Sequence, residues 1–424
     1  MKKRTRFGVA ALGAALAVSL AGATGGAIAS ASSAPKPTVV KLRGATRGVT
    51  LTLMYGSSGP AETAAVNAAA AAWSKSSGNK VNVINASNLN QQLDQGFAGG
   101  NPPDVFYLSS SLLETFAKQG DLLPYASKVA PASVFYPALV KAYTYNKTWY
   151  CVPKDFSNLA LEINTTMWKA AGLTNANLPT TWAKLRYAAK RLTRNGVVGL
   201  DVGNTLDRLG AFFAENGGSY MNKAGTAFAF NSPQNIAALK FVQSMARQGI
   251  LKFPPQQSSG WAGEAFGLGK AAMATEGNWI IGAMSSSYPK IKWETVPLPA
   301  GPKGIKGTLT FTNCWGIAAQ SAHSAAAVNF VRFLSSIQQE MRFSNAFGVL
   351  PARIAVANDY AKEHPSVAAF VQGAKYAMPQ VSTVGFPTVQ AAFDNQILGL
   401  ATGSSNPVTM LDQLQSNAQA LLRP

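Results

Sequence analysis

Residues 49–108 read as strand, helix, strand, helix, strand in close succession, and no other feature of the sequence narrows the fold as far. VTLTLMYG (49–56) alternates apolar and polar residues, Ser58-Gly59-Pro60 turns the chain, and AETAAVNAAAAAWSK follows as a helix with Pro60 in its first turn. KVNVIN (80–85) alternates again, NLNQQLDQGFAGG is helical and stops at paired glycines, and Pro102-Pro103 lead into the apolar DVFYL. Such an alternation folds as a mostly parallel sheet covered by helices.

Beyond this block, TWYCVPKD (148–155) reads as a strand ending at a polar turn, and LALEINTTMWKAAGL as a strand, then a helix. From Pro179 to about residue 287 the pattern is mainly helical. TTWAKLRYAAKRLTR has Thr180 or Thr181 as cap, and SPQNIAALKFVQSMARQG has Ser232 as cap and Pro233 at the first helical position. KWETVPLP and GTLTFTNCWGIAA are strand-like, SAAAVNFVRFLSSIQQEMRFS reads as one helix, and the chain closes with helices at 388–401 and 407–422. An α/β first part, a second part and a return imply two lobes joined by more than one crossing. Ligands in such architectures sit between the lobes, near the carboxyl ends of strands.

The first residues carry an address. MKKRTR is a positive leader, the next stretch is soft and apolar, and Ala27-Ile28-Ala29 or Ala29-Ser30-Ala31 offers a small-x-small cleavage site. Residues 1–31 are therefore expected to be a secretory signal peptide, and the protein to work outside the cytoplasm, at the outer face of the membrane or in the cell wall. Leu20-Ala21-Gly22 resembles the end of a lipoprotein signal, but position 23 is alanine and offers no thiol for a lipid.

Two cysteines, Cys151 and Cys314, in an exported chain are most simply one disulfide, with two buried thiols as the alternative. Without clustered histidines they make no zinc site, and His323 and His364 read as surface residues. The formal charge is +19, and loss of Lys2, Lys3, Arg4 and Arg6 leaves +15. The basic residues are scattered, with no aromatic-basic RNA-binding motif, so nucleic acid is not the expected partner. No nucleophile elbow with a histidine partner, P-loop, dinucleotide fingerprint or obvious carboxylate pair argues for an enzyme or a cofactor.

Seven phrases in order carry a resemblance: GNPPDVFYL (100–108), FAKQGDLLPY (116–125), WYCVPKDFSNLALEIN (149–164), LPTTWAKLRYAAKRLT (178–193), GKAAMATEGNW (269–279), PLPAGPKG (297–304) and FGVLPAR (347–353). Together they resemble the extracellular solute-binding proteins of ATP-binding-cassette importers, in the cluster that includes maltose-binding protein. The resemblance implies an α/β, two-lobed periplasmic-binding-protein-like fold (type II) with a ligand cleft between lobes joined by hinge strands. It places 45–153 plus 310–358 in the first lobe and 154–309 plus 359–424 in the second. It implies a monomer that captures a sugar or oligosaccharide and delivers it to membrane permease subunits, with no catalysis and no cofactor. Anionic solutes such as phosphorylated sugars or uronic acids, and polyamines, are the alternatives, followed by a secreted carbohydrate-active enzyme. It puts Cys151 and Cys314 on crossing strands, so that their disulfide would bridge the hinge.

A sugar site needs a flat apolar surface for C–H faces and polar groups for hydroxyls. In AAMATEGNWIIGAM (271–284) Trp279 follows Glu276-Gly277-Asn278, and it is either such a platform or a core residue. The resemblance favours the platform, with Glu276 and Asn278 as polar neighbours. It adds Asp155 at a strand end, where a cap or turn role is the alternative, Tyr55, Gly56 and Ser57 at the end of the first strand, and Phe386 at the cleft mouth. Trp315, after Cys314, either faces the cleft or fills the hinge. Ser109 and Ser110 end another strand or cap the next helix. Arg353 is as well explained structurally, and Asp207-Arg208 lie in a loop within reach of the cleft.

Overall fold

Three parallel strands open the fold as the alternation requires: β1 (Thr50–Tyr55), β2 (Lys80–Asn85) and β3 (Val105–Ser109). They are linked by α1 (Pro60–Ser77), stopped by left-handed Gly78, and α2 (Leu89–Ala98), capped by the Asn88 side chain. The structure, a computed structural model, describes residues 42–423; the signal segment and Ala23 lie outside them.

The central element is β4 (Pro153–Asn164), twelve residues long and almost wholly buried. The sequence reading put a polar turn near Asp155, and the structure corrects it: one strand runs straight through. Asn313 pairs with Asp155 but Cys314 pairs with Pro153, so Lys154 is the extra residue of a bulge. A bulge leaves neighbouring side chains on one side of the sheet, and here the Lys154 ammonium meets the Asp155 carboxylate. The polar pair that looked like a turn is a buried ion pair inside a strand.

The chain continues through α3 (Trp182–Leu192), β5 (Leu200–Val202), α4 (Leu206–Glu215), β6 (Leu251–Lys252), β7 (Met273–Gly277), β8 (Trp293–Val296), β9 (Thr308–Ile317) and β10 (Leu350–Pro351). β5, β6 and β7 interrupt what reads as a helical region. They are short or buried on both faces, so they show no alternation. The stretch 324–344 is two helices, Ser324–Leu334 and Ile337–Phe347, because the Ser336 side chain caps the second.

The strand order is β2-β1-β3-β9-β4-β7-β5-β6, with β8 and β10 also pairing β4. The first half of β4 pairs antiparallel with β9 and β10, and its second half with β7 and β8. One strand thus belongs to two sheets, and each sheet has its own apolar core. Val367, Phe370, Val371 and Ala374 pack into the first core, although the sequence division gives 359–424 to the second lobe. The reason is local: the helix Ala368–Gly373 lies on β4, where the Asn158 amide donates to the Phe370 carbonyl at 2.8 Å. Ala262, Phe266, Ile280 and Met284 are also continuous with the first core.

Cys151 and Cys314 are bonded, with Cα atoms 5.9 Å apart. The bridge joins the segment entering β4 to β9, beside the Lys154 bulge, and closes a loop of 163 residues in sequence separation. A loop that long makes the bridge a strong restraint on the unfolded chain. Replacing both cysteines with alanine is expected to cost about 2–5 kcal/mol, read as a lower urea midpoint. An unchanged midpoint would show that the strands are held without it.

Candidate functional site

The carboxyl ends of β1 and β3 point toward the middle of β4, and so do those of β5 and β7 from the other half. Where they meet, the floor is made by β4 and β9. Register places Ser109, Asn313 and Asp155 in one row across three strands, with Phe311 opposite Ser157 in the next. Ser109, Asn313, Phe311 and Ser157 are partly exposed, while the residues flanking them along β4 and β9 are buried.

The first wall is a buried charge cluster. Lys154 Nζ touches Asp155, lies 3.6 Å from Glu62 and stands 4.4 Å from the centre of the Tyr107 ring. Glu62, in the first turn of α1, accepts from the Ser58 amide at 2.8 Å, the Ser58 hydroxyl at 2.7 Å and the Tyr107 hydroxyl at 3.0 Å. Two carboxyls share one ammonium, so they diverge. Burial pushes Glu62 up, but Lys154 and the Ser58 bonds outweigh it and hold the carboxyl below its ordinary value. Burial dominates at Asp155 and raises it despite Lys154.

The second wall surrounds Trp279. Its indole N–H donates to Glu276 Oε2 at 3.0 Å, and the same oxygen accepts from Arg208 Nε at 3.2 Å and lies 3.1 Å from the Arg208 NH2 group. The guanidinium lies 4.9 Å from the Trp279 ring centre and 5.7 Å from that of Phe311, and the two rings stand edge to face with centres 5.6 Å apart. Gly277 is required here: a Cβ would come within 2.2 Å of the Trp279 ring. Trp279 remains 37% exposed, the most open aromatic of the junction, whereas Glu276 is buried. Burial raises the Glu276 carboxyl against the pull of Arg208. Behind it, Glu162 accepts the Glu276 backbone N–H at 3.0 Å, and burial followed by repulsion from Glu276 drives Glu162 well up.

Asn278 ties the halves together, its amide donating to the Gly348 carbonyl at 3.2 Å. Gly56 and Ser57 lie partly exposed at the end of β1, and the Ser57 backbone N–H donates to Asn85 Oδ1 at 3.2 Å. Ser109 caps the following turn, and the Ser110 hydroxyl is buried with no protein partner. Three expectations need correction. Phe386 is 3% exposed and stacks on Phe228 and Phe230, so it belongs to the second core rather than to a cleft mouth. Trp315 is buried between Tyr107 and Phe343, filling the first core behind the bulge. Tyr55 is fully buried against Tyr107 and supports the wall without facing the junction. Arg353 is structural as well, donating to the Ser335 carbonyl at 2.7 Å and facing Glu340.

Glu62, Tyr107, Lys154, Ser157, Phe311 and Asn313 were not singled out from sequence, and Arg208 only as a loop within reach. The partial exposure of Phe311 and Asn313 follows the alternation of GTLTFTNCWGIAA, which could have found them. Glu62 and Lys154 are 92 positions apart in number and carry no joint signal. Among the described residues, no group of three or more His, Cys, Asp or Glu side chains is placed to hold a metal ion.

Comparison with known proteins fits this geometry. Residues 56–341 match the model of the bacterial extracellular solute-binding protein family. The chain is 24% identical to the diacetylchitobiose binding protein DasA of Streptomyces coelicolor, over 63% of this chain and 64% of that one. It is 21% identical to the sn-glycerol-3-phosphate-binding periplasmic protein UgpB of Rhizobium meliloti, over 77% and 82%. The crystal structure of the cyclic alpha-maltosyl-1,6-maltose binding protein from Arthrobacter globiformis superposes with a TM-score of 0.77, at 22% identity, covering 88% of this chain and 98% of that one. The architecture is therefore the periplasmic-binding-protein fold, and the chain belongs to the bacterial extracellular solute-binding proteins, a family that binds solutes without catalysing their reaction.

Proposed function

We propose that the chain captures a sugar or oligosaccharide at the junction of its two halves and delivers it to a membrane permease. The observation that carries this reading is Trp279. An indole held in place by Glu276, braced by Phe311 and left partly open is a rigid apolar platform. Along the floor lie the partly exposed Ser157, Asn313 and Ser109, which suit a rim of hydroxyls, while Asn278 is buried beside the platform. The halves meet through β4 and β9, and bending there would close them on the ligand, a population shift driven by tighter binding to the closed form. The sugar names of DasA and of the Arthrobacter protein agree with the reading.

A second reading, an anionic solute such as a phosphorylated sugar, rests on Arg208 over the indole and on the name of UgpB. Glu276 already engages that guanidinium through two nitrogens, and on the other wall the Lys154 ammonium is taken up by Asp155 and Glu62 and is not free for an anion. Neutral carbohydrate is the better fit.

The test is thermal unfolding against neutral oligosaccharides, uronic acids, phosphorylated sugars and polyamines. A ligand at a hundred times its Kd should add about 2.7 kcal/mol of stability. One neutral sugar class is expected to raise the midpoint, and Trp279→Ala to abolish the rise while still folding. A rise with phosphorylated sugars alone would install the second reading.

A further inference from the structure

The chain is basic overall, but its cations are unevenly set against its acids. From Ile163 to Leu200 there is no Asp or Glu, while Lys169, Lys184, Arg186, Lys190, Arg191 and Arg194 all fall in this stretch. The helix packed beside α3, Pro233–Arg247, has no acid either, and carries Lys240 and Arg247.

α3 sorts these residues by helical period. Trp182, Leu185, Ala188, Ala189 and Leu192 are buried in the second core. Lys184, Tyr187, Lys190 and Arg191 are exposed on the opposite face, and exposed Arg194 continues it just past the helix end. Tyr187, in the middle, is 51% exposed. Among the described residues none of these cations pairs with a carboxylate. Lys184 and Arg191 reach instead to the Ala176 and Ala171 carbonyls, at 3.1 and 2.9 Å, which spreads charge along the neighbouring turn.

We propose that this face of α3 docks the protein on an anionic lipid bilayer. The partner must supply dense negative charge over a broad, flat area, because the cations line the outside of a helix and not the walls of a groove. A groove would suit a single polyanion strand. Tyr187 fits the same partner: an exposed phenol ringed by Lys and Arg stems has the amphipathic character of side chains at a membrane–water interface. Attraction to an anionic leaflet contributes on the order of 1 kcal/mol per cation held near it and fades within a Debye length. None of these side chains bonds to Trp279 or to the junction floor, Lys184 and Arg191 being held by the Ala176 and Ala171 carbonyls, so docking there uses residues other than those proposed above for the ligand.

The experiment is co-sedimentation of the protein with vesicles of phosphatidylcholine, with or without phosphatidylglycerol, at low and high salt. Because the whole chain is cationic, the comparison is between two variants of equal net charge. K184Q/K190Q/R194Q neutralises the α3 face, and K75Q/K80Q/K147Q neutralises three exposed lysines of the first half. Wild type is expected to bind phosphatidylglycerol vesicles and to be released by salt. The α3 variant should bind roughly a hundredfold more weakly, the control variant less than tenfold, and K184R/K190R/R194K should retain binding. Equal loss in the two neutralised variants, no binding of wild type to the anionic vesicles, or binding only to a soluble phosphate polymer would overturn the proposal. An unchanged thermal midpoint shows that each variant is folded.

Discussion

Replacing Lys154 with methionine is expected to cost about 3–5 kcal/mol of folding stability, the range for stranding a buried charge. The side chain is 3% exposed, and Asp155 and Glu62 lie on either side of it. Methionine fills the volume but leaves two carboxyls facing one another with no cation. They must then take up a proton or draw in water, and both oppose folding. Urea unfolding measures the loss. The pair Lys154→Met with Glu62→Gln should recover part of it, since the amide oxygen can still accept from the Ser58 N–H and hydroxyl while its NH2 donates to the Tyr107 hydroxyl oxygen, with no charge to neutralise. A single variant within about 1 kcal/mol of wild type would mean that the cluster is wetter than its burial indicates.

The second large effect is on pH. Burial raises Asp201 and Asp394 to about 7 and Glu340 to about 8, and it also pushes Glu162 and Glu215 well above their ordinary values. Among the described residues none of Asp201, Glu162 and Glu215 forms an ion pair; they hold to the Gln257 amide, the Glu276 backbone N–H and the Trp182 indole. A folded-state pKa above the unfolded value means that the folded chain binds its proton more tightly. The stability so gained is full below the unfolded carboxylate range, near pH 4, and is lost as pH rises through the folded values. Glu62, held low, acts in the opposite sense, and acid also increases the repulsion of a +19 chain. At physiological salt that repulsion is screened within about 8 Å, so the buried acids should win. Stability is expected to fall by several kcal/mol between about pH 5 and pH 8, read as a falling thermal midpoint at constant ionic strength. A midpoint that is flat or rises with pH would place these acids in contact with water.

Where a segment has one buried face, the sequence spoke clearly. β1 and β2 alternate, α1 carries its proline and glycine punctuation, and the caps Thr181 and Ser232 stand where they were read. The misreadings share a cause: tertiary surroundings reversed the usual meaning of a residue. Lys154-Asp155 looks like a turn because a buried ion pair in a bulge has no periodic signature. Ser336 breaks a helix that apolar periodicity alone would continue, although Ser336 followed by Gln339 is a capping pattern that was there to be read. At the junction, Trp279, Glu276 and Asn278 were legible because they are adjacent. Arg208 and Glu62 come from distant helix starts, and only the fold brings them there.

That one strand serves two sheets also dictates an order of assembly. β1, β2 and β3 leave the ribosome early, but the strand that should lie next to β3 is β9, about two hundred positions later. β4 must likewise wait for β9 and β10 before its first half is covered on either edge. Contacts so distant in sequence form slowly, because a long loop has to be closed before they contribute. The first half therefore cannot finish ahead of the second, and the new chain stays open until most of it has been made. An open chain is one that can still be threaded through a membrane, which is what a protein of an extracellular family has to survive before it folds.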